Sequence, residues 1–338
     1  MSLAFTCGYL TAIQAKADAI FTDGMYNNDA IVDAEVAKAV LAQQQGMIRM
    51  PSITGTKNQE LRVEWLTRCS PTTTDCSDDC EIDGVPADVE CEDYELECLQ
   101  EIAFKVSERT YRLRTIEKID DVAFSMLRSM AAMDEWVAQY IIAGLLSCAG
   151  TNLFTGGVGS VSGTVTYIAP QYWDDAIWGY LNQVVRLNKF RNPYLVTGNN
   201  LYQLLFNRPL ESGNADGSGN YRKMQTMKVY QDPENIETVA PGQTFLIHRG
   251  AVAFLNKAWN PGPNAANAIE PAPGYFLWSE PSRNLPGVTY DIVMQQSCLA
   301  NDFHEAYKIQ LHGLFVCNPY PCDDDNTGVI MLECGTAD

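Results

Sequence analysis

Histidine is scarce, with only His248, His304 and His312 in 338 residues. The catalytic signatures that depend on it, or on a primed serine or lysine, are missing as well. There is no His-Glu-x-x-His helix, no Gly-x-Ser-x-Gly elbow and no phosphate loop ending in Lys-Ser/Thr. His248 closes a strand-like run, and His312 alternates with Lys308 and Gln310 on what reads as a polar strand face. Long apolar runs are lacking too. Nothing approaches the roughly 18 uncharged apolar residues of a membrane-crossing helix. The opening Met1-Ser2-Leu3-Ala4-Phe5-Thr6-Cys7 has no basic start leading into an apolar core, so no signal peptide is expected.

Positive charge is the third shortage. Lys and Arg number 23 against 42 Asp and Glu, for a formal charge of −19. That balance argues against a protein that grips nucleic acid through phosphate contacts. The deficit is local. Between Cys69 and Phe104 stand 12 acids and no base, and from Cys317 to Asp338 five acids and no base. The rest of the chain carries only about two net negative charges, so two acidic patches sit on a nearly neutral body.

Cysteine, by contrast, is plentiful: eleven residues, most of them inside those patches. Cys69, Cys76, Cys80, Cys91 and Cys98 lie in the first; Cys317, Cys322 and Cys334 lie in the second. Only Cys7, Cys148 and Cys298 fall elsewhere. An odd total leaves at least one thiol without an intrachain disulfide partner. The first cluster is spaced C-x6-C-x3-C-x10-C-x6-C and lacks the C-x2-C knuckle common in zinc sites. Disulfides, within the loop or between neighbouring copies, fit these eight residues best. Zinc binding and free thiols in an acidic loop are the alternatives. Asp323-Asp324-Asp325-Asn326-Thr327-Gly328 looks like the first half of a calcium loop, but Cys334 stands where the twelfth-position Glu belongs. A solvated acidic turn is the expectation there. The glycine-rich stretch from Gly156 to Gly163 reads as a flexible loop. No catalytic residue, cofactor or metal ligand is expected.

Periodicity supplies the elements. Residues 1–50 read as an arm, with a helix capped by Asp29, carrying Ile31, Val32, Val36, Ala39 and Val40 on one stripe and stopping at Gly46. Leu61, Val63 and Trp65 alternate as a strand, as do Ile102, Phe104 and Val106, continued by Tyr111 to Arg114. Two strands around the acidic insert read as an extended hairpin. The strongest element starts at Asp120-Asp121 and repeats Val122, Met126, Met130, Met133, Val137 and Ile141. It predicts a helix on the order of 40 Å long, ending at Cys148. A second amphipathic helix spans Tyr172 to Asn188, with Trp173, Ile177, Leu181 and Val184 on one side. A strand at Tyr194–Thr197, a short helix at Leu201–Phe206 and a surface loop from Glu211 to Gly219 follow. Residues 226–258 read as strands and turns. Two long strands close the pattern: Val288, Tyr290, Ile292 and Met294 share one face, and Tyr307, Ile309, Leu311 and Phe315 another.

This order of elements resembles the tailed-bacteriophage major capsid protein, the Hong-Kong-ninety-seven-type fold shared with encapsulins. Local phrasing adds to the resemblance. Ile141-Ile142-Ala143-Gly144-Leu145-Leu146 with Ala149-Gly150-Thr151-Asn152 looks like the end of a capsid spine helix. Asn192-Pro193-Tyr194 through Leu201-Tyr202 looks like the strand-turn-helix of an axial domain, and Phe315-Val316-Cys317-Asn318-Pro319 like a closing strand.

The resemblance implies an α+β fold with an N-terminal arm (1–50) and an extended hairpin, the E-loop, with the acidic insert (51–115). It implies a peripheral domain (116–164 and 281–338, with the spine helix at 120–148) and an axial domain (165–280). It further implies a structural, non-enzymatic subunit that assembles with itself as hexamers and pentamers into an icosahedral head around double-stranded DNA. Scaffold, portal and decoration proteins would be partners, with DNA touched only non-specifically and no membrane involved. Synthesis in the host cytoplasm and residence in the virion follow from the same resemblance. The arm is short, which implies a separate scaffold or an already processed chain. Lys57 lies near the hairpin, but no isopeptide partner matches, so that cross-link is not carried over. The alternatives are an encapsulin-like compartment shell and an acidic, disulfide-stapled extracellular binding module.

Overall fold

The computed structural model describes residues 3–23, 31–44, 48–49, 60–66, 89–108, 117–150, 152, 158–173, 176–198, 227–258, 264–299, 302–318 and 327–335. Five α-helices occur among the described residues: α1 (Leu3–Asp23), α2 (Glu35–Gln44), α3 (Lys118–Cys148), α4 (Ala176–Leu187) and α5 (Pro233–Val239). The strands begin with β1 (Ile48–Arg49), β2 (Glu60–Leu66), β3 (Val89–Glu95), β4 (Glu97–Ser107) and β5 (Gly159–Ser162). They continue with β6 (Val165–Ile168), β7 (Tyr194–Thr197), β8 (Lys228–Gln231), β9 (Gln243–Ile247) and β10 (Val252–Asn256). The last are β11 (Ile269–Ala272), β12 (Tyr275–Pro281), β13 (Thr289–Leu299), β14 (Asp302–Cys317) and β15 (Val329–Cys334). The chain is therefore α+β. It divides into two compact units: Met1–Lys38, Glu95–Ala138 and Phe254–Leu314 form the first, and Ala39–Tyr94, Gln139–Ala253 and Phe315–Asp338 the second.

The first unit is organised on a sheet ordered β10-β14-β13-β12-β11, with β4 also paired to β14. Alternation of side chains gives this sheet one dry apolar face, although Asp291 and Val293 on the other side of β13 are buried as well. Tyr290, Ile292 and Met294 from β13 and Tyr307, Ile309 and Leu311 from β14 are each buried. Helix α3 carries the expected stripe: Val122, Met126, Met130, Met133 and Val137 are all buried. Its first turn holds Asp120 and Asp121, which suit the positive end of the helix dipole. At 31 residues it is roughly 46 Å long.

Helix α1 is not apparent in the periodicity. It buries Leu10, Ile13, Ala17 and Ile20, yet its opposite side exposes Ala12, Ala15 and Ala19. Apolar and small residues on both sides leave little contrast to read. Helix α2 starts at Glu35, later than a cap at Asp29 implies; Asp29 itself lies outside the described residues.

Strand pairing corrects the hairpin expectation. The partner of β2 is β3, in a small sheet ordered β1-β2-β3. The run Ile102–Val106 belongs to β4 and pairs with β14, Ile102 opposite Ile309 and Phe104 opposite Tyr307. Phe104 stacks on the Tyr307 ring at 5.0 Å, an apolar match that a pairing with β2 cannot offer. Strand β3 was hidden by its four acids, which make it read as part of the insert. Tyr111–Arg114 lies outside the described residues.

In the second unit a six-stranded sheet runs β5-β6-β15-β9-β7-β8. Strand β15 sits inside it, parallel to β6 and antiparallel to β9. Val329, Ile330, Met331 and Leu332 are all buried. A strand covered on both faces reads as a short apolar run without alternation, so periodicity alone misses it. Helix α4 lays Ile177, Trp178, Leu181 and Val184 on Ile168, Leu195, Leu246, Ile330 and Leu332. The glycine-rich stretch is not wholly a loop. From Gly159 it forms the β5–β6 hairpin, turning at Gly163 with φ of 60°. Helix α5 falls within 226–258, where only strands and turns were expected. Asp232 caps it, Oδ1 accepting from the Asn235 N–H at 3.3 Å, and Pro233 follows. The expected helix at Leu201–Phe206 and loop at Glu211–Gly219 lie outside the described residues.

Candidate functional sites: cysteines, acidic strands and a buried carboxylate seat

The cysteines divide sharply. Cys69, Cys76, Cys80 and Cys322 lie outside the described residues, as does the side chain of Cys91 on β3. Cys317, the last residue of β14, is joined in a disulfide to Cys148 at the end of α3, with Cα atoms 5.8 Å apart. Both belong to the second unit. Cys148 was not among the eight expected residues, since at the end of an apolar helix it reads as core. Cys98, Cys298 and Cys334 are free and exposed. Burial first, then the Glu101 carboxylate, pushes the Cys98 thiol above its ordinary pKa, so it is a poor source of thiolate. Asp323–Asp325 lie outside the described residues. Among the described residues no group of three or more His, Cys, Asp or Glu side chains is placed to hold a metal ion.

The acidic strands are anchored from one side. On β2, Leu61, Val63 and Trp65 are buried while Arg62 points outward. Arg62 donates to both carboxylate oxygens of Asp93 on β3, at 2.8 and 2.9 Å. That guanidinium holds Asp93 below the usual carboxylate range. The Trp65 indole N–H donates to the Tyr94 hydroxyl at 3.1 Å, and Tyr94 in turn donates to the Glu92 carboxylate. Strand chemistry thus fixes the root of the insert.

His312 lies on the expected face with Lys308 and Gln310, but that face is covered at its position. It is buried, with Nδ1 2.9 Å from Oδ2 of buried Asp291. Asp291 is the cross-strand partner of Gln310, so His312 keeps to the Gln310 side of β14, and the register shift beside it skips Leu99 of β4. His248 packs edge-on against Phe190, with ring centroids 5.4 Å apart. His304 is half-buried on β14.

Besides Asp291, three buried carboxylates in the first unit were not picked out in the sequence. Asp134 on α3 accepts from the Tyr290 hydroxyl (2.5 Å), the Ser282 hydroxyl (2.7 Å) and Asn284 Nδ2 (2.9 Å). Burial raises its pKa against those three donors. Glu280 on β12 is 1% exposed and accepts from the Trp278 indole (3.2 Å) and from Gln14 of α1 (2.9 Å). Burial pushes it up to about 7. Glu305 on β14 accepts from Tyr9 of α1 (3.1 Å), from Tyr307 (3.0 Å) and from Lys118 Nζ (2.8 Å). Two further links tie α1 down: Asp18 accepts from Arg283 at 2.7 Å, and Lys16 lies 3.2 Å from Asp120. The one available signal was an acid on an otherwise apolar stripe, as Asp134 is beside Met130, Met133 and Val137.

No family model matches the chain, and no curated protein matches it. Solved structures to which it is similar include several capsids. They include the mature capsid of bacteriophage PhiM1, 6% identical over 83% of each chain with a TM-score of 0.45. The capsid of Ralstonia phage GP4 is 11% identical over 83% of this chain and 84% of that one, with a TM-score of 0.45. The capsid of a native GTA particle is 12% identical over 91% and 92%, again with a TM-score of 0.45.

Proposed function

We propose that the chain is a structural subunit, the major capsid protein of a tailed bacteriophage, that assembles into the icosahedral head around double-stranded DNA. The observation that carries this reading is the order of elements along the chain. An N-terminal helical segment (α1, α2) comes first, then a strand pair, β2 and β3, on either side of the acidic insert. The 31-residue helix α3 follows, then the sheet of the second unit, and finally the long strands β12 to β14 and β15. In this reading residues 1–50 are the arm and 51–115 the extension. Residues 116–164 and 281–338 form the peripheral domain and 165–280 the axial domain, although β15 joins the sheet of the axial segment.

The role is mechanical rather than catalytic. Arm and extension lie across neighbouring copies, and closed symmetry multiplies modest contacts into a stable shell. A nearly neutral body suits a wall that touches packaged DNA without adhering to it. Hexamers and pentamers of the chain, with scaffold, portal and decoration proteins, are its partners. It is made in the host cytoplasm and resides in the virion.

Negative-stain electron microscopy of the purified chain, alone and co-expressed with a scaffold, tests the reading. Closed shells tens of nanometres across are expected, filled with DNA when taken from a lysate. Shells loaded with a cargo enzyme instead would point to an encapsulin-like compartment. A chain that stays monomeric even with scaffold and crowding overturns the proposal.

A further inference from the structure

Helix α1 rests on the dry face of the first unit's sheet, which carries Glu280 and Glu305 beneath it. The two carboxylates are compensated differently. Glu305 has the Lys118 ammonium at 2.8 Å. Glu280 has no cation within ion-pair distance among the described residues; its two donors, Trp278 and Gln14, are neutral. The nearby Arg283 guanidinium is engaged by Asp18 at 2.7 and 3.0 Å. A charge at Glu280 is therefore both dry and unpaired whenever α1 is in place, and the Gln14 link to it comes from α1 itself. Burying such a charge is costly, and uncovering it restores its hydration.

We propose that the seat of α1 is a pH-dependent latch, in which loss of the Glu280 proton loosens α1 from the sheet. The groups facing Glu280 are few. Gln14 and Asp18 come from α1, Trp278 from its own strand, and Arg283 from the turn that follows. Tyr290 is its cross-strand partner on β13 and donates to Asp134 on α3. Arg283 favours the charged form and Asp18 opposes it, but burial outweighs both. Tyr290 is held well above its ordinary value and stays protonated across the range concerned.

The direction follows from linkage. With α1 seated, Glu280 titrates at about 7; uncovered, it returns towards its ordinary 4.5. Seating α1 thus takes up a proton between those values. Its hold is full below the lower value, weakens as pH rises, and is least once pH passes the upper one. Between pH 5.5 and 8.5 the equilibrium for seating falls by about thirty-fold.

Hydrogen exchange of the full-length chain, corrected for intrinsic rates, reads this directly. Protection of the α1 amides is expected to fall about thirty-fold from pH 5.5 to 8.5, while β13 and β14 amides do not follow. In Glu280→Gln the α1 profile is expected to be flat. In Asp134→Asn, which removes the other raised carboxyl but leaves Glu280 and its donors Gln14 and Trp278 in place, it keeps the wild-type slope. Glu280→Met, close in volume and unable to titrate, replaces Glu280→Gln if that variant fails to fold. A flat wild-type profile overturns the latch. So does a slope that survives the loss of the Glu280 carboxyl, or one shared equally by β13 and β14.

Discussion

Cys148, in the last turn of α3, is bonded to Cys317 at the end of β14, closing a separation of 169 residues. Such a link constrains the unfolded chain far more than the folded one. The chain-entropy estimate for a loop of this size is about 5 kcal/mol, and typical measured values are about 2–4 kcal/mol. Reductant is therefore expected to lower the melting temperature of the wild-type chain. The Cys148→Ser/Cys317→Ser variant should melt at the reduced value whether reductant is present or not. Equal melting of wild type with and without reductant would show that the bond contributes nothing.

A second contact in the same unit is steric. A Cβ at Gly144 would lie 2.2 Å from Cδ1 of the Phe315 ring. Alanine ordinarily gains up to about 1 kcal/mol over glycine in a helix. Here overpacking opposes that gain, at about 1–3 kcal/mol. Gly144→Ala is expected to lower stability in denaturant unfolding, and Phe315→Ala on top of it should recover part of the loss. If Gly144→Ala is stabilising, the ring moves aside freely and the contact is not tight.

Asp134 accepts three hydrogen bonds in a buried site, so removing it strands three donors at once. Asp134→Ala is expected to cost about 3 kcal/mol or more. Adding Tyr290→Phe, which deletes one of the orphaned hydroxyls, should cost less than the sum of the two single changes. Because the folded state raises the Asp134 pKa, that state binds the proton more tightly than the unfolded chain. Its contribution is greatest below the ordinary value of 3.8 and is lost as pH rises through the folded value. Asp134→Asn should flatten that part of the stability profile. A profile unchanged by Asp134→Asn would assign the slope to other groups.

These sites also mark where the sequence was legible. Helices α3 and α4 and most of β14 have one dry face and a wetter one, and β13 keeps its apolar residues on one face, so their periodicity survives translation into letters. Strand β15 has no wet face, α1 has small residues on its outer side, and β3 is acidic; each lacks the contrast that period-reading needs. Individual site residues were harder still. Gln14 meets Glu280 across 266 positions and Tyr9 meets Glu305 across 296, so only the fold brings them together. Cys317 was visible as a cysteine, but its partner was hidden at the end of an apolar helix. His312 failed for a different reason: it keeps the face that alternation assigns, but that face is buried at its position, against Asp291.

The acidic patches make a prediction about assembly that depends on the shell reading. Each copy carries 12 acids and no base between Cys69 and Phe104, so bringing many copies together stacks like charge. Exposed Glu95 and Glu97 stand at the junction of β3 and β4, at the root of that patch. Raising salt from 0.1 M to 1 M shortens the screening length from about 10 Å to about 3 Å, which weakens repulsion between patches more than contact packing. Light scattering of the purified chain is therefore expected to show faster and more complete assembly as salt rises. Glu95→Gln/Glu97→Gln should reach the same extent at lower salt. Assembly that instead declines with salt would mean that opposite charges meet across the interface. The acidic strands would then be contact surfaces facing basic residues of a neighbour rather than outward-facing, solvated ones.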